Sequence, residues 1–283
     1  MRKKNLSLGT TRCGDTEFRW GERTYVMGVC NLSSDSFSGD GLGGDIEVVV
    51  AQAKRFVAEG ADIIDIGGES TRPDSQPVSA DMESQLVIPT IERLSGELSV
   101  PLSIDTYKSV VATRAIKAGA KMINDVWGLK RDPELAQVAA EAGVPILLVS
   151  NQRDTPCRDI MAEVASSLER SIDLAMKAGV AWQNIIIDPG IGFGKTLEQN
   201  LEIIHRLTEL KRLGRPILLG TSRKSMIGMV LELPPDQRLE GTAATVAIGI
   251  ANGADMVRVH DVQQMVRICR MSDAIIKGVP GGR

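Results

Sequence analysis

Six stretches of the chain share one pattern: a helix-like segment, a glycine, a short apolar run and then polar residues. They are AEGADIIDIGGES, KAGAKMINDVWG, EAGVPILLVSNQ, KAGVAWQNIIIDPG, RLGRPILLGTSRK and ANGADMVRVHD. Glycine suits the left-handed position that ends a helix. A short, continuously apolar run suits a parallel strand that is buried on both faces. The pattern therefore predicts repeated strand–helix units with polar side chains where each strand ends.

Two further apolar runs complete the set: TYVMGVC at 24–30, which ends in NLSSDSF, and SVPLSID at 99–105, which ends in TYK. The predicted strands then start near residues 24, 62, 101, 121, 144, 184, 215 and 255. Eight regular units in 283 residues favour a closed barrel over a doubly wound sheet. We predict an α/β fold, a single (β/α)8 TIM-barrel domain over residues 1–283, with residues 1–22 as a short hairpin across its bottom.

The segments between the strands carry apolar residues at three- and four-residue spacing, which is typical of helices packed on one face. One such stripe consists of Ile46, Val49, Val50, Ala53, Phe56 and Val57. Thr196 followed by Gln199 predicts a capping box at the start of the sixth helix. We interpret these positions as packing against the barrel.

Composition excludes several classes of protein. A formal net charge of -3 and only 3% aromatic residues argue against nucleic acid and anionic membrane as partners. The polar N-terminus, the lack of a spanning apolar run and four scattered cysteines favour a cytoplasmic protein with reduced thiols. With two histidines far apart in the sequence, a histidine-rich zinc site is excluded.

A barrel of parallel strands brings all the strand ends to one face, where such proteins carry out chemistry. The polar residues at these ends are Asn31, Asp35, Glu69, Thr71, Arg72, Asp105, Asn124, Asp125, Ser150, Asp188, Ser222, Arg223, Lys224, Arg258 and His260. Asp and Asn side chains pair with a ring that presents adjacent N–H and C=O groups, and cations beside glycine-rich loops hold phosphate. The set predicts a site for a polar heterocycle that carries phosphate.

The segment DPGIGFGKT superficially resembles a phosphate-binding P-loop between a strand and a helix. That motif requires a glycine five residues before the glycine of GKT, and Pro189 stands there. The spacing therefore argues against an ATPase.

Seven motifs together resemble the dihydropteroate synthase family, from about residue 24 to residue 265. They are DIGGESTRP, SIDTYK, INDVWG, DPGIGFGKT, GTSRKSMIG, EGTAATVA and RVHDV, and all but EGTAATVA lie at a predicted strand end. The resemblance implies the joining of 4-aminobenzoate to 6-hydroxymethyl-7,8-dihydropterin diphosphate, with release of diphosphate and a requirement for Mg²⁺. It also implies a homodimer formed through late helices.

The resemblance further implies a role for each matching residue. The pterin ring is expected against Asp105, Asn124, Asp188 and Lys224, with Arg258 covering its face. Diphosphate is expected at Asn31, Thr71, Arg258 and His260, with Asn31 also binding Mg²⁺. The 4-aminobenzoate is expected at Thr71, Arg72, Phe193, Ser222 and Lys224. The residues expected to carry the chemistry are Asp105, Asp188, Lys224, Arg258 and His260.

Two positions depart from the family's pattern. Ser33-Ser34 stand where the family usually has Thr-Pro, and Val149-Ser150 stand where it usually has Met-His. We expect a looser first loop and altered sulfonamide binding. These departures leave open a pterin-binding paralogue with little synthase activity. A pterin-dependent methyltransferase shares the barrel and the pterin pocket, but it would not need the residues expected to hold aminobenzoate and diphosphate.

Overall fold

The structure, a computed structural model, describes residues 8–33, 46–70, 76–154 and 159–279. Its strands are β1 (Thr10–Cys13), β2 (Thr16–Arg19), β3 (Tyr25–Asn31), β4 (Ile63–Gly67), β5 (Leu102–Asp105), β6 (Met122–Asp125), β7 (Ile146–Val149), β8 (Ile185–Asp188), β9 (Leu218–Leu219) and β10 (Met256–Val259). Strands β3 to β10 form one parallel sheet in the order β8-β7-β6-β5-β4-β3-β10-β9. A bridge between Ile187 and Ile217 joins its two ends. The predicted eight-stranded barrel is confirmed.

Helices alternate with these strands around the outside of the barrel. Their bounds are α1 (Ile46–Glu59), α2 (Ala80–Ser95), α3 (Ser109–Ala118), α4 (Glu134–Ala142), α5 (Ile160–Lys177), α6 (Leu197–His205), α7 (Ser225–Leu231), α8 (Leu239–Ala251) and α9 (Val262–Lys277). The six glycines of the repeat all have positive φ, from 65° at Gly214 to 125° at Gly119. The Thr196–Gln199 capping box is confirmed at the start of α6. Within the described ranges, no helix is both long and apolar enough to cross a membrane.

The barrel interior is apolar at the bottom and polar at the top. Its lower layer consists of Met27, Ile63, Met122, Leu147, Ile186, Leu218 and Met256. Successive inward positions on a strand are two residues apart, so the next layer upward contains Asp65 above Ile63 and Arg258 above Met256. The same strands thus build a dry floor and a charged mouth.

The predicted hairpin is confirmed, and it closes the barrel bottom. Strands β1 and β2 pair antiparallel, and Phe18 and Trp20 pack with the lower layer. The Phe18 ring centroid lies 5.6 Å from that of Trp20 and 4.9 Å from that of Tyr25. This aromatic cluster covers apolar side chains that solvent would otherwise reach.

We expect Phe18→Ala to lower the free energy of unfolding by about 3–5 kcal/mol, because it leaves a cavity at the base of the barrel. Glu17→Ala on the same strand is the matched control, since Glu17 is exposed and should change stability by less than about 0.5 kcal/mol. Urea unfolding measures both. Equal midpoints for the two variants would show that the hairpin does not seal the core.

Candidate active site

One pocket at the carboxyl ends of the strands collects most of the residues that the sequence singled out. It is lined by Asn31, Asp105, Asn124, Asp188, Phe193, Ser222, Lys224, Arg258 and His260, among others. Thr71 and Arg72 lie outside the described residues, so the structure does not place them. The barrel therefore brings together nine predicted site residues from six different strand ends.

Arg258 is held between two carboxylates that lie deep in the mouth. Its Nε donates to Asp65 Oδ2 at 2.7 Å and its Nη2 donates to Asp105 Oδ2 at 2.8 Å. Asn124 Nδ2 also donates to Asp65 Oδ2, at 3.0 Å. These bonds fix the plane of the guanidinium and leave its Nη1 donors for another acceptor.

Asp188 and Lys224 also line the mouth. Asp188 is buried and accepts a hydrogen bond from the backbone N–H of Gly190 at 2.6 Å. Lys224 donates to the carbonyl of Ile191, and its Nζ lies 4.7 Å from the centroid of the Phe193 ring. The ammonium therefore lies beside an aromatic face, and it is close enough to Asp188 for the two charges to affect each other.

Burial shifts the pKa values of these groups towards their neutral forms. It raises the pKa of Asp105 to about 8, a shift that Arg258 opposes and Asp65 reinforces. It lowers the pKa of Lys224 to about 8, although Asp188 opposes that shift. Burial also raises the pKa of Asp188, against the attraction of Lys224. Burial therefore disfavours the charged form of each group, and the neighbouring opposite charges counteract it.

Asn124 contributes an acceptor as well as a donor. Its Oδ1 is buried and has no hydrogen-bond partner within the described residues. The Asn124 Nδ2 donates to Asp65, and this bond sets the orientation of the amide. The Oδ1 is therefore the atom that faces the pocket without a partner among the residues described. An N–H group of a bound heterocycle would satisfy this oxygen.

Ser222 joins two parts of the pocket. Its Oγ lies 2.9 Å from His260 Nδ1 and accepts a bond from the His260 backbone N–H at 3.2 Å. The imidazole orientation is thus set by a residue of the neighbouring loop. A change at Ser222 would move His260 as well.

Three features of the site were missed from the sequence or assigned differently. Asp65 was not selected, although a carboxylate in the middle of the apolar run Ile63–Gly67 was an available signal. Glu69, grouped with the mouth residues, is instead paired with Lys108. The Lys108 ammonium also bonds Glu83, with 2.5 Å between Nζ and Glu83 Oε2. Asp125, grouped with the mouth residues, instead caps a turn by accepting from the backbone N–H groups of Trp127 and Leu129.

EGTAATVA, which does not lie at a strand end, supports the loop after β9 from α8. Thr242 Oγ1 accepts from the Arg223 backbone N–H at 3.1 Å, and Thr245 Oγ1 bonds Thr221 Oγ1 at 2.8 Å. Arg223 has a φ of 56°, which is unusual for a residue other than glycine. These bonds hold the turn that presents Ser222 and Lys224.

Lys195, the lysine of the rejected P-loop, has a structural environment. Its Nζ donates to the carbonyls of Ser150, Gly190 and Phe193 at 2.7, 2.9 and 3.2 Å. Gly190 has a φ of 73°, and a Cβ there would lie 2.0 Å from the Ser150 carbonyl oxygen. The ammonium therefore joins the loop after β8 to the loop after β7, where glycine permits the close approach.

We expect Lys195→Met to lower the free energy of unfolding by about 2–3 kcal/mol, because three carbonyls lose a charged donor. We also expect lower activity, since Phe193 loses an anchor of its loop. The exposed Lys177 at the end of α5 provides the matched Lys→Met control, which should leave both properties unchanged. Urea unfolding followed by an activity assay measures the difference, and equal behaviour of the two variants would contradict this role.

Comparison with known proteins identifies the relatives of this chain. The profile of the pterin binding enzyme family matches residues 27–260. A dihydropteroate synthase of Clostridium beijerinckii is 51% identical over 94% of this chain and 99% of its own length.

Solved structures agree with the sequence comparison. The structure of a dihydropteroate synthase from Clostridium difficile in the presence of pteroic acid has a TM-score of 0.87 and 50% identity, covering 91% of this chain and 98% of its own. A Yersinia pestis dihydropteroate synthase with a sulfonamide drug complex has a TM-score of 0.90 and 35% identity, covering 95% of this chain and 100% of its own. The chain therefore belongs to the pterin-binding enzymes, as a member of the dihydropteroate synthase family.

Proposed function

We propose that this chain joins the amine of 4-aminobenzoate to the methylene carbon of 6-hydroxymethyl-7,8-dihydropterin diphosphate and releases diphosphate. The observation that carries the proposal is the single pocket in which Asp105, Asn124 and Asp188 lie beside Lys224 and Arg258. The Clostridium difficile relative was solved with pteroic acid, a molecule in which a pterin is joined to 4-aminobenzoate. Pteroic acid carries both donors and acceptors, which matches a pocket where acceptors and cations lie side by side.

The pterin ring is proposed to bind at the floor of the mouth. Its pyrimidine edge presents N–H donors, which the carboxylate of Asp188 and the Oδ1 of Asn124 are suited to accept. Lys224 supplies a donor on the same side. Arg258, fixed by Asp65 and Asp105, offers a planar guanidinium that suits the face of a flat heterocycle.

The diphosphate is proposed to lie towards β10 and β3, at Arg258, His260 and Asn31. Among the described residues, no group of three or more His, Cys, Asp or Glu side chains could hold a metal. Mg²⁺ characteristically takes few protein ligands and completes its shell with phosphate oxygens and water. The amide of Asn31 in the pocket wall fits that requirement, and a bound Mg²⁺ would neutralise charge on the leaving diphosphate.

The reaction requires little acid–base chemistry from the protein. The bond between the pterin methylene carbon and the diphosphate oxygen breaks, and its electron pair leaves on diphosphate. The carboxylates of Asp105 and Asp188 stabilise the positive charge that develops on the pterin. The arylamine nitrogen, positioned from the side of Phe193 and Ser222, then forms the new C–N bond and loses a proton. Thr71 and Arg72 remain proposed contributors to the aminobenzoate side.

Thermal shift measurements test this assignment against its rivals. We expect pterin diphosphate with Mg²⁺ to raise the melting temperature, and 4-aminobenzoate to raise it further only when pterin and diphosphate are both present. A paralogue that only binds pterin would give the first shift without the second. A methyltransferase would form a methylated product from a methyl donor, and detection of that product would contradict the proposal.

We also propose that the chain forms a homodimer through α7, α8 and α9. These neighbouring helices expose large apolar side chains, including Met229, Ile248, Met271 and Ile275, and the exposed fraction of Ile275 is 72%. Large apolar side chains exposed on neighbouring helices favour an interface there. Light scattering should give the mass of two chains for the native protein and of one chain for Ile248→Glu. A native mass of one chain would contradict the proposal.

We propose that the protein acts in the cytoplasm, because its described cysteines are free thiols. Cys13 and Cys269 are buried, and burial raises the pKa of each thiol to about 12. Such thiols are inert as nucleophiles, which is compatible with a reducing compartment.

A further inference from the structure

Arg153 lies in the pocket wall, although no motif singled it out. It follows β7 in the loop at 150–154 and lines the pocket together with Phe193 and Lys224. Its guanidinium carbon lies 5.1 Å from the centroid of the Phe193 ring, and Lys224 Nζ lies 4.7 Å from the same centroid. One aromatic ring is therefore contacted by two cations.

The backbone that presents Arg153 is held in place by specific bonds. Its N–H donates to Asn151 Oδ1 at 3.1 Å, and Asn151 Nδ2 donates to the Val126 carbonyl at 3.0 Å. The Gln152 N–H donates to the Phe193 carbonyl at 3.1 Å. A Cβ at Gly194, which has a φ of 69°, would lie 2.4 Å from the Arg153 nitrogen. The loops that carry Arg153 and Phe193 are thus packed and hydrogen-bonded against each other, and together they form one wall of the pocket.

The position of Arg153 separates it from the groups proposed to hold diphosphate. Arg258 and His260 follow β10, whereas Arg153 follows β7, and β8 and β9 lie between these strands. Phe193 and Lys224, its neighbours in the wall, follow the two intervening strands. The cation therefore lies on the aromatic side of the mouth.

The electrostatics of this wall favour an anion. Burial lowers the pKa of Arg153, and the charge of Arg153 contributes to the lowered pKa of Lys224. Two like charges in a half-buried wall repel each other, and a carboxylate between them would relieve the repulsion. A guanidinium also matches the planar geometry of a carboxylate.

We propose that Arg153 is a specificity-determining residue that binds the carboxylate of the arylamine substrate, with its guanidinium held against Phe193. The proposal rests on the proposed function and extends it. Ser222 offers a neutral hydroxyl on this side of the pocket, and Arg153 supplies the charge that distinguishes an acid from a neutral analogue.

The test compares 4-aminobenzoate with the neutral 4-aminobenzamide as amine substrates of the Arg153→Met variant. We expect KM for 4-aminobenzoate to rise about tenfold, as the loss of a charged hydrogen bond implies, with KM for the amide and for pterin diphosphate nearly unchanged. Arg153→Lys should recover part of the preference for the acid, since it keeps the charge but not the planar donor pair.

The matched control is Arg131→Met. Arg131 also lies over an aromatic ring in a βα loop, 4.1 Å from the centroid of Trp127, but it is not among the residues that line the pocket. Its variant should keep the wild-type preference for the acid.

Three results would overturn the proposal: an unchanged preference in Arg153→Met, an equal loss with acid and amide, or a rise confined to KM for pterin diphosphate. A wild-type protein that forms no product with either amine would instead contradict the proposed function itself, and this extension with it.

Discussion

Asp188→Asn is expected to lower kcat/KM at pH 7 by about 10²–10³-fold while the protein keeps its fold. The carboxylate is buried at the floor of the mouth, where it is proposed to accept a hydrogen bond from the pterin ring and to face the developing positive charge. An amide of the same shape can still accept from the Gly190 N–H, so the loop should stay in place. Steady-state kinetics and urea unfolding together separate lost chemistry from lost structure.

A pH profile makes this prediction specific. The pKa of Lys224 is lowered to about 8 by burial, and Asp188 opposes that shift. Lys224 is charged below its pKa and loses its proton as the pH rises through it. Without the Asp188 charge the pKa of Lys224 should fall further, so the alkaline limb of the activity profile should move to lower pH.

Asp255→Asn provides the matched control at the opposite end of the barrel. Asp255 is also a buried carboxylate that accepts a hydrogen bond from a backbone N–H, that of Ile217 at 3.0 Å. A lysine also lies nearby, with Lys211 Nζ 3.6 Å from Asp255 Oδ2. Its substitution should change stability but leave kcat/KM and its pH profile in place. Equal kinetic losses in the two variants, or a loss below tenfold for Asp188→Asn, would contradict the role given to Asp188.

The second large effect is expected for Arg258→Met, which should abolish activity and lower the free energy of unfolding by about 3–5 kcal/mol. Asp65 and Asp105 are both buried, and each bonds the Arg258 guanidinium. Removing the guanidinium leaves Asp65 and Asp105 buried without the hydrogen-bond donor and positive charge that they share. Arg258→Lys restores a charge and should recover most of the stability, but not the planar donor arrangement or full activity.

The loss in Arg258→Met should depend on pH in a defined direction. The pKa of Asp105 is raised to about 8 by burial, and Arg258 holds it down. In the variant it should rise further, so the folded state would favour protonated Asp105. A raised pKa of an acid makes the folded state less stable as the pH rises from about 4 towards that pKa. The wild type shares this cost between about pH 4 and pH 8, because its own Asp105 has a pKa of about 8. The extra destabilisation of Arg258→Met should therefore grow as the pH rises above about 8.

Arg23→Met is the control for a pair at the surface. Arg23 also makes two bonds to a carboxylate, Asp62, at 3.0 and 2.5 Å, but its side chain is 52% exposed. Exposed pairs contribute at most about 1 kcal/mol. If Arg258→Met lost no more stability than Arg23→Met in urea unfolding, the buried cluster of Asp65, Asp105 and Arg258 would not stabilise the fold as proposed.

The positions of the strands along the chain, the helix ends and the hairpin were predictable because each depends on local sequence. The repeated glycine before each strand predicted a helix end with positive φ, and Gly60 and Gly253 have φ values of 104° and 105°. Phe18 and Trp20 in the hairpin are two residues apart and share the buried face, whereas Glu17 and Arg19 are exposed. The mouth residues were predictable for the same reason, since a parallel barrel delivers every strand end to one face.

Pairings across the barrel could not be predicted in the same way. Asp65 and Arg258 are 193 residues apart, and their contact depends on β10 pairing with β3, which in turn pairs with β4. Lys195 follows a glycine-rich loop, yet its partners are carbonyls of two loops rather than a ligand. Asp125 occupies a strand end but faces outward, because its register on β6 places Asn124 inside the barrel. Register and closure decide these roles.

The two departures from the family's pattern have different structural settings. Val149 lines the pocket, so a smaller side chain there leaves more room beside the pterin floor. Ser150 is buried, and its carbonyl accepts from Lys195 while its hydroxyl accepts from Gln152 at 2.9 Å. Ser33 lines the pocket, whereas Ser34 lies outside the described residues. The effect of the Ser33-Ser34 pair on sulfonamide binding stays a prediction.

The central claim is that one mouth binds both substrates and couples departure of diphosphate to attack by the amine. Diphosphate release from 6-hydroxymethyl-7,8-dihydropterin diphosphate, measured with Mg²⁺ in the presence and absence of 4-aminobenzoate, tests it most directly. We expect release that depends on 4-aminobenzoate and is matched by an equal amount of dihydropteroate. Binding of the pterin diphosphate with no 4-aminobenzoate-dependent release would contradict it.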